Sequence, residues 1–292
     1  MRTLIVGIAL CLVALSCERD AHIQVHDTDQ NLVVEGTIEN NRPPRVILTH
    51  SLNYFSTLNA ALLENLFVHQ ARVMVSDGKD SVLLVEKTVD TLLGAKFYYY
   101  EPVDSSAFKG KVGQTYSLNI QVEGQSLKAT TTIPASSFYL DSVWSVASQS
   151  AGKTDSSHGF LMARIIDPPE LGNYARYFTK RNSEPYYPGL ASVADDGITN
   201  GKVFDFQLSR GMPKNQDLDP EDDGLFDAGD TVVLKFCDID SDTYHFWSTW
   251  EYAWLNKGNP FATPTAVEGN IPGALGYWGG YYVQYKQLII LK

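Results

Sequence analysis

Between residues 32 and 132 apolar and polar residues alternate in short runs broken by turn residues, a period-2 pattern that predicts strands. Residues 32–38 (LVVEGTI) read as a strand, 40–44 as a turn ending in a double proline, and 45–49 as a second strand. Residues 60–66 have room for one or two helical turns. Residues 71–75 and 81–87 face each other across Asp77-Gly78 as a hairpin, and 97–100 follow as a further strand. Residues 116–122 alternate strictly, turn at Glu123-Gly124 and return as 126–132 before Pro134. Strands this short and evenly spaced predict an antiparallel sandwich.

After Pro134 the pattern loosens. Strands are expected at 141–146, 160–166, 174–180, 203–209, 231–237 and 281–291, joined by long loops rich in Asp, Gly, Pro and Ser. One helix stands out near 242–256. Asp240 or Ser241 is placed to cap its free amides, and Asp242 in the first turn suits its dipole. Tyr244, Trp247, Trp250 or Glu251, and Trp254 recur at helical spacing, and Gly258-Asn259-Pro260 ends the run. A stripe of this kind reads as core before it reads as a ligand platform. No internal repeat is present.

The first residues change the picture. Arg2 is followed by an apolar stretch at 4–15 that is too short for a stable transmembrane helix, then by Ala14-Leu15-Ser16-Cys17. The tetrapeptide resembles a lipobox, although a large aliphatic residue is commoner where Ala14 stands. It assigns residues 1–16 to a signal peptide, Cys17 to lipidation (diacylglycerol and a fatty acid such as palmitate) and 17–30 to a polar tether. Several acyl chains on one cysteine, at about 0.8 kcal/mol per buried methylene, anchor firmly. Cys17-Glu18-Arg19-Asp20 resembles an acidic surface-export signal interrupted by Arg19, so cell-surface display is expected, with a periplasm-facing orientation as the alternative.

The chain has 292 residues with 23 basic and 34 acidic side chains, a net charge of −11. Loss of the leader removes Arg2 and no acid, which makes the mature charge −12. Such a surface repels nucleic acid, which is excluded as a partner. Of 3 cysteines, Cys11 leaves with the leader and Cys17 carries lipid, so Cys237 has no partner for an intrachain disulfide. Its apolar surroundings mark it as a small core residue.

Candidate chemistry is sparse. Read as a calcium loop from Asp219, the acidic segment 217–230 offers Asp219, Glu221, Asp223, Asp227 and Asp230, with Gly224 at the sharp turn. Glu at the third position and Asp at the twelfth fit poorly, and a solvated acidic loop explains the segment as well. No other cofactor is expected. Asp238, Asp240 and Asp242 group three acids ahead of His245, but a strand-to-helix junction accounts for them. There is no His-Glu-x-x-His, nucleophile elbow or phosphate-binding glycine loop. With 16 Tyr, 13 Phe and 5 Trp the chain is aromatic-rich, and the run 276–282 is expected to be partly exposed, with Tyr277, Trp278, Tyr281 and Tyr282 as binding candidates.

In order and spacing, LVVEGTI at 32–38, VILTHSLNYF at 46–55, ARVMVSDG at 71–78, GQTYSL at 113–118, ATTTIP at 129–134, GDTV at 229–232, GNPF at 258–261 and NIPGALGYWGGY at 270–281 resemble the lipoprotein family known as domain of unknown function 4249. The resemblance implies a Bacteroidota-type outer-membrane lipoprotein found beside TonB-dependent transporters, and brings no catalytic residues with it. The expectation is a mainly β chain. An immunoglobulin-like or transthyretin-like sandwich at 31–134 precedes a β-rich domain at 135–292 with the aromatic helix. The expected role is a non-enzymatic accessory in nutrient uptake that binds a TonB-dependent transporter or its cargo. The alternatives are a stand-alone glycan- or peptide-binding surface module, or a hydrolase built from carboxylates such as Asp238, Asp240 and Glu251.

Overall fold

The computed structural model describes residues 30–52, 59–91, 95–135, 138–150, 153–214 and 224–291. The lipidation candidate Cys17 and the loop acids Asp219, Glu221 and Asp223 lie outside them. Among the described residues the chain is mainly β, as the alternation predicts.

Leu32–Glu39 (β1) and Arg45–His50 (β2) pair antiparallel, and Asn41 turns the chain between them at φ 62°, a left-handed value that asparagine tolerates. The short helix Ala60–Leu66 (α1) is capped by the Asn59 side chain, which accepts from the Leu62 amide. Arg72–Ser76 (β3), Ser81–Asp90 (β4), Lys96–Pro102 (β5), Thr115–Val122 (β6) and Gln125–Thr132 (β7) follow close to their expected places. Beyond them come Tyr139–Ser150 (β8), Lys153–Ile166 (β9), Tyr174–Arg181 (β10), Tyr187–Asp195 (β11), Val203–Leu208 (β12), Phe226–Asp227 (β13) and Thr231–Ile239 (β14). The aromatic helix runs Ser241–Leu255 (α2), and Leu275–Ile289 (β15) closes the chain. The pattern does not announce β11, because Pro188 and Gly189 at its start read as a loop. As the edge strand of its sheet it tolerates the proline.

An 11-stranded sheet has the order β11-β10-β14-β15-β1-β2-β5-β4-β3-β6-β7. The last strand of the chain therefore lies beside the first. β15 runs parallel to β1, with Val33 opposite Leu275 and Glu39 opposite Tyr281, and antiparallel to β14 on its other side. Between β2 and β5 the ladder narrows to one pair, Val46 with Tyr100, so the sheet folds over there. β7 returns to β15, where the Gly280 amide donates to Thr131 Oγ1 at 2.7 Å. The wrap encloses a first core of Val34, Ile38, Leu48, Val73, Val75, Leu118, Ile120 and Ile133, with Trp278 of β15 fully buried among them.

β8, β9, β12 and β13 form a smaller sheet that packs against β10 and β14. Leu140, Leu161, Ala163, Tyr177, Leu234 and Phe236 fill that second core. The opposite face of β10, β14 and β15 is covered by α2, where Cys237, Ile239, Phe246, Tyr277 and Tyr281 form a third. β15 serves the first core with Trp278 and the third with Tyr277, because neighbouring residues of a strand point to opposite faces.

Candidate functional site

The same alternation builds a cavity. On β1, Val34, Gly36 and Ile38 face the first core, which turns Val33, Glu35, Thr37 and Glu39 to the other side. On β15, Tyr277 and Tyr281 share that side; β14 adds Lys235, and β10 adds Arg176 and Phe178. Phe246, Trp247 and Trp250 of α2 form the wall above this floor, and Tyr186, Pro188 and Lys214 complete it. The hollow, open to one side, has a volume of about 520 Å³, within the range of small-molecule sites.

Helix α2 is held over the floor from its first turn. Asp240 Oδ1 accepts from the Thr243 amide at 3.0 Å. Asp240 Oδ2 accepts from Thr131 Oγ1 at 2.5 Å and from the Thr132 amide at 2.9 Å, which ties the cap to β7. Phe246 stacks on Tyr277 with ring centres 4.6 Å apart, and Trp247 meets Tyr277 edge-on at 5.0 Å. Trp247 Nε1 donates to Tyr281 Oη at 3.0 Å. Trp250 and Trp254 stack farther along, and Trp254 Nε1 donates to the Lys214 carbonyl.

Arg176 is the central cation, 3% exposed. Its Nε donates to Ser192 Oγ at 3.2 Å and its Nη1 to Tyr281 Oη at 3.4 Å. The guanidinium carbon lies 3.3 Å from the Trp247 ring centre and 4.7 Å from that of Phe178. The Ser192 hydroxyl donates to Glu251, whose carboxylate also accepts from the Ser192 amide at 2.8 Å. Ser192 thus links the buried Arg176 and Glu251 by hydrogen bonds without a direct ion pair between them.

Three more charges line the hollow. Lys235 pairs with Glu39. Lys214 Nζ donates to the carbonyls of Gly189 and Leu190 and lies over the Trp254 ring, and burial pulls its ammonium below the ordinary lysine range. Glu35 makes no hydrogen bond or ion pair with the other described residues. Its surface is exposed, but only into a concavity crowded by protein; that burial raises its carboxyl above the ordinary 4.5, against the pull of Arg176. Burial likewise lifts the Tyr277 and Tyr281 hydroxyls above the ordinary tyrosine range.

The binding candidates of the glycine-aromatic run separate. Tyr277 and Tyr281 line the cavity, whereas Trp278 is fully buried on the other face and its Nε1 donates to the Tyr116 carbonyl at 3.1 Å. Tyr282 is partly buried against the first core. The expected partial exposure of 276–282 is overturned, since Tyr277, Trp278, Gly279, Gly280 and Tyr281 are all buried. The glycines there admit close neighbours. A Cβ on Gly280 would stand 2.6 Å from the Thr132 carbonyl oxygen, and one on Gly276 1.9 Å from that of Val34.

The other candidates lie elsewhere. Asp227 and Asp230 both pair with Arg181, Asp230 at 2.6 Å, and Asp230 also accepts from Asn182 at 2.7 Å. Among the described residues no group of three or more His, Cys, Asp or Glu is placed to hold a metal. Asp240 and Glu251 are taken up by the helix cap and by Ser192, and Asp238 is fully buried. Cys237 is a core residue as expected, its thiol pushed up to about 12 by burial. A second cavity, of about 350 Å³, lies at the second core and is lined chiefly by apolar side chains such as Phe138, Ile165, Phe204 and Phe236.

Sequence reasoning missed Glu35, Arg176 and Lys235. A signal existed: each is a lone charge inside a short, largely apolar run, LVVEGTI, YARYF or VVLKFC. A lone charge in such a run needs an unusual environment.

Fold and cavity together define a mainly β protein with a hollow of small-molecule size between a sheet face and an aromatic helix. The chain belongs to the family described as a domain of unknown function, DUF4249, whose family model matches residues 18–287. The curated proteins compared with it include no match.

Proposed function

We propose that this protein is a non-enzymatic, lipid-anchored binding protein of the outer membrane, displayed on the cell surface, that holds cargo in the cavity beneath α2 for a TonB-dependent transporter. The observation that carries the binding role is the cavity itself. It combines an aromatic wall with a few convergent polar groups, the usual composition of a ligand site. The lipobox-like Ala14-Leu15-Ser16-Cys17 supports the anchor, and no helix among the described residues is long and apolar enough to cross a membrane. The structural employment of Asp240 and Glu251 favours binding over hydrolysis.

The test is a mild-detergent pull-down of the lipidated protein from its native membrane, read by mass spectrometry for proteins and retained small molecules. Cys17→Ala removes the anchor, and Thr37→Trp obstructs the cavity from β1. A stoichiometric transporter lost with Cys17→Ala, and a small molecule lost with Thr37→Trp, are the expected results. A retained small molecule without any transporter would favour the stand-alone module. Neither appearing with the wild type would sink the proposal.

A further inference from the structure

The cavity also carries information about what fills it, and this step rests on the binding role proposed above. We propose that the ligand is a small organic monocarboxylate with a flat apolar or aromatic body, its carboxylate held by Arg176 and its body lying against Trp247, Trp250 and Phe178.

The argument starts from how Arg176 is satisfied. A guanidinium carries five N–H donors and, once buried, needs acceptors or an anion. Here Nε and Nη1 each reach a neutral hydroxyl, on Ser192 and Tyr281, and no ion pair with a carboxylate includes Arg176 among the described residues. Among the described residues Nη2 has no hydrogen-bond acceptor. The side chain contacts Trp247, Phe178 and Tyr281, all lining the hollow that Arg176 itself lines. The geometry is a guanidinium with Nε and Nη1 each on one hydroxyl, a face stacked on indole, and Nη2 left over beside the second hydrogen of Nη1. A planar carboxylate fits that pair of nitrogens with two parallel hydrogen bonds.

The neighbouring charges narrow the choice. Lys235 has its countercharge in Glu39 and Lys214 gives two of its three donors to carbonyls, so Arg176, with two hydrogen bonds from five donors and no carboxylate paired with it among the described residues, is the lining cation with the most left to offer. Glu35, unpartnered on β1, and Glu39 oppose a second negative charge, which argues against dianions such as phosphate monoesters. The indole and phenyl walls contribute stacking area, which suits a flat apolar body, while the polar lining groups stand mostly on the sheet floor.

The test titrates the full-length protein in detergent with three probes of one shape, phenylacetate, phenylacetamide and phenethylamine, followed by calorimetry. Phenylacetate is expected to bind about tenfold or more tightly than the neutral amide, since charge-assisted hydrogen bonds are the stronger kind. Arg176→Met should abolish that preference. Glu35→Gln, on an open lining position where folding is not at stake, should strengthen phenylacetate binding severalfold and leave the amide unchanged. Equal binding of amide and carboxylate, or a Glu35→Gln protein whose affinity for phenylacetate does not rise, would overturn the carboxylate assignment while leaving a binding cavity in place. No heat from any probe at millimolar concentration would remove the assignment and the cavity's binding role together.

Discussion

Glu35 and Glu101 are both strand residues of the first half of the chain, and their surroundings push their carboxyls in opposite directions. Burial alone would raise Glu101, but hydrogen bonds from Lys87 at 3.0 Å and Arg45 at 3.1 Å, with the charges behind them, hold it below the ordinary 4.5. Glu35 has no such partners and is raised. The signs of linkage follow. Glu101 contributes stability above its ordinary value and loses it as pH falls through its depressed one. For Glu35 the unfolded chain ionises first, so stability declines as pH rises from the ordinary 4.5 through the raised value. Urea melts across pH should show Glu101→Gln less stable by about 1–2 kcal/mol at neutral pH, with the gap closing in acid. Glu35→Gln should be more stable than the wild type at neutral pH, with a gap that also closes in acid. A constant offset at every pH would show that neither effect comes from ionisation. Lone charges in apolar strands were visible in the sequence. Which of them share a hollow was not, because Glu35 and Arg176 meet only through pairings made across most of the chain.

At the scale of elements, α2 was the most legible, since its cap, its aromatic spacing and its stop are all local. Yet the residues buried along it are Thr243, Phe246 and Glu251, with the tryptophans only partly covered. A stripe read from spacing does not say how far over the sheet a helix is rolled. The cap's second task was invisible too, because Thr131 lies more than a hundred residues away from Asp240. Asp240→Ala should therefore cost more than an isolated cap, about 2 kcal/mol or more against a usual 1. Thr131 Oγ1 would lose its acceptor while still receiving the Gly280 amide. Hydrogen exchange should rise in both α2 and the end of β7. Faster exchange in α2 alone would mean that the link to β7 carries no energy. β15 was the least legible element. Its Gly-aromatic first half reads as an exposed loop because glycine weakens any strand signal, and only the crowding around Gly276 and Gly280 explains why nothing larger stands there.

For the whole molecule, β15 is the decisive member. It borders β1 on one side and β14 on the other, and it places Trp278 in the core that residues 32–133 build together with Ile271. A fragment of residues 31–134 lacks that tryptophan and leaves β1 as a bare edge. Expressed alone, it should show no cooperative melt, whereas the full chain should lose near-ultraviolet and far-ultraviolet circular dichroism in one coincident transition. A fragment that melts cooperatively would show that the first core does not need β15. The mainly β class was readable from alternation along the chain. The pairing of its two ends was not, since no local pattern encodes which distant strand completes an edge.

The same pairing sets an order in time. β1 is made first and its parallel neighbour last, so the sheet stays open throughout synthesis, roughly 15 to 60 s at ~5–20 residues per second. The ladder between β1 and β15 cannot close until β15 has emerged. Synthesis of β15 is therefore the step that locks the large sheet.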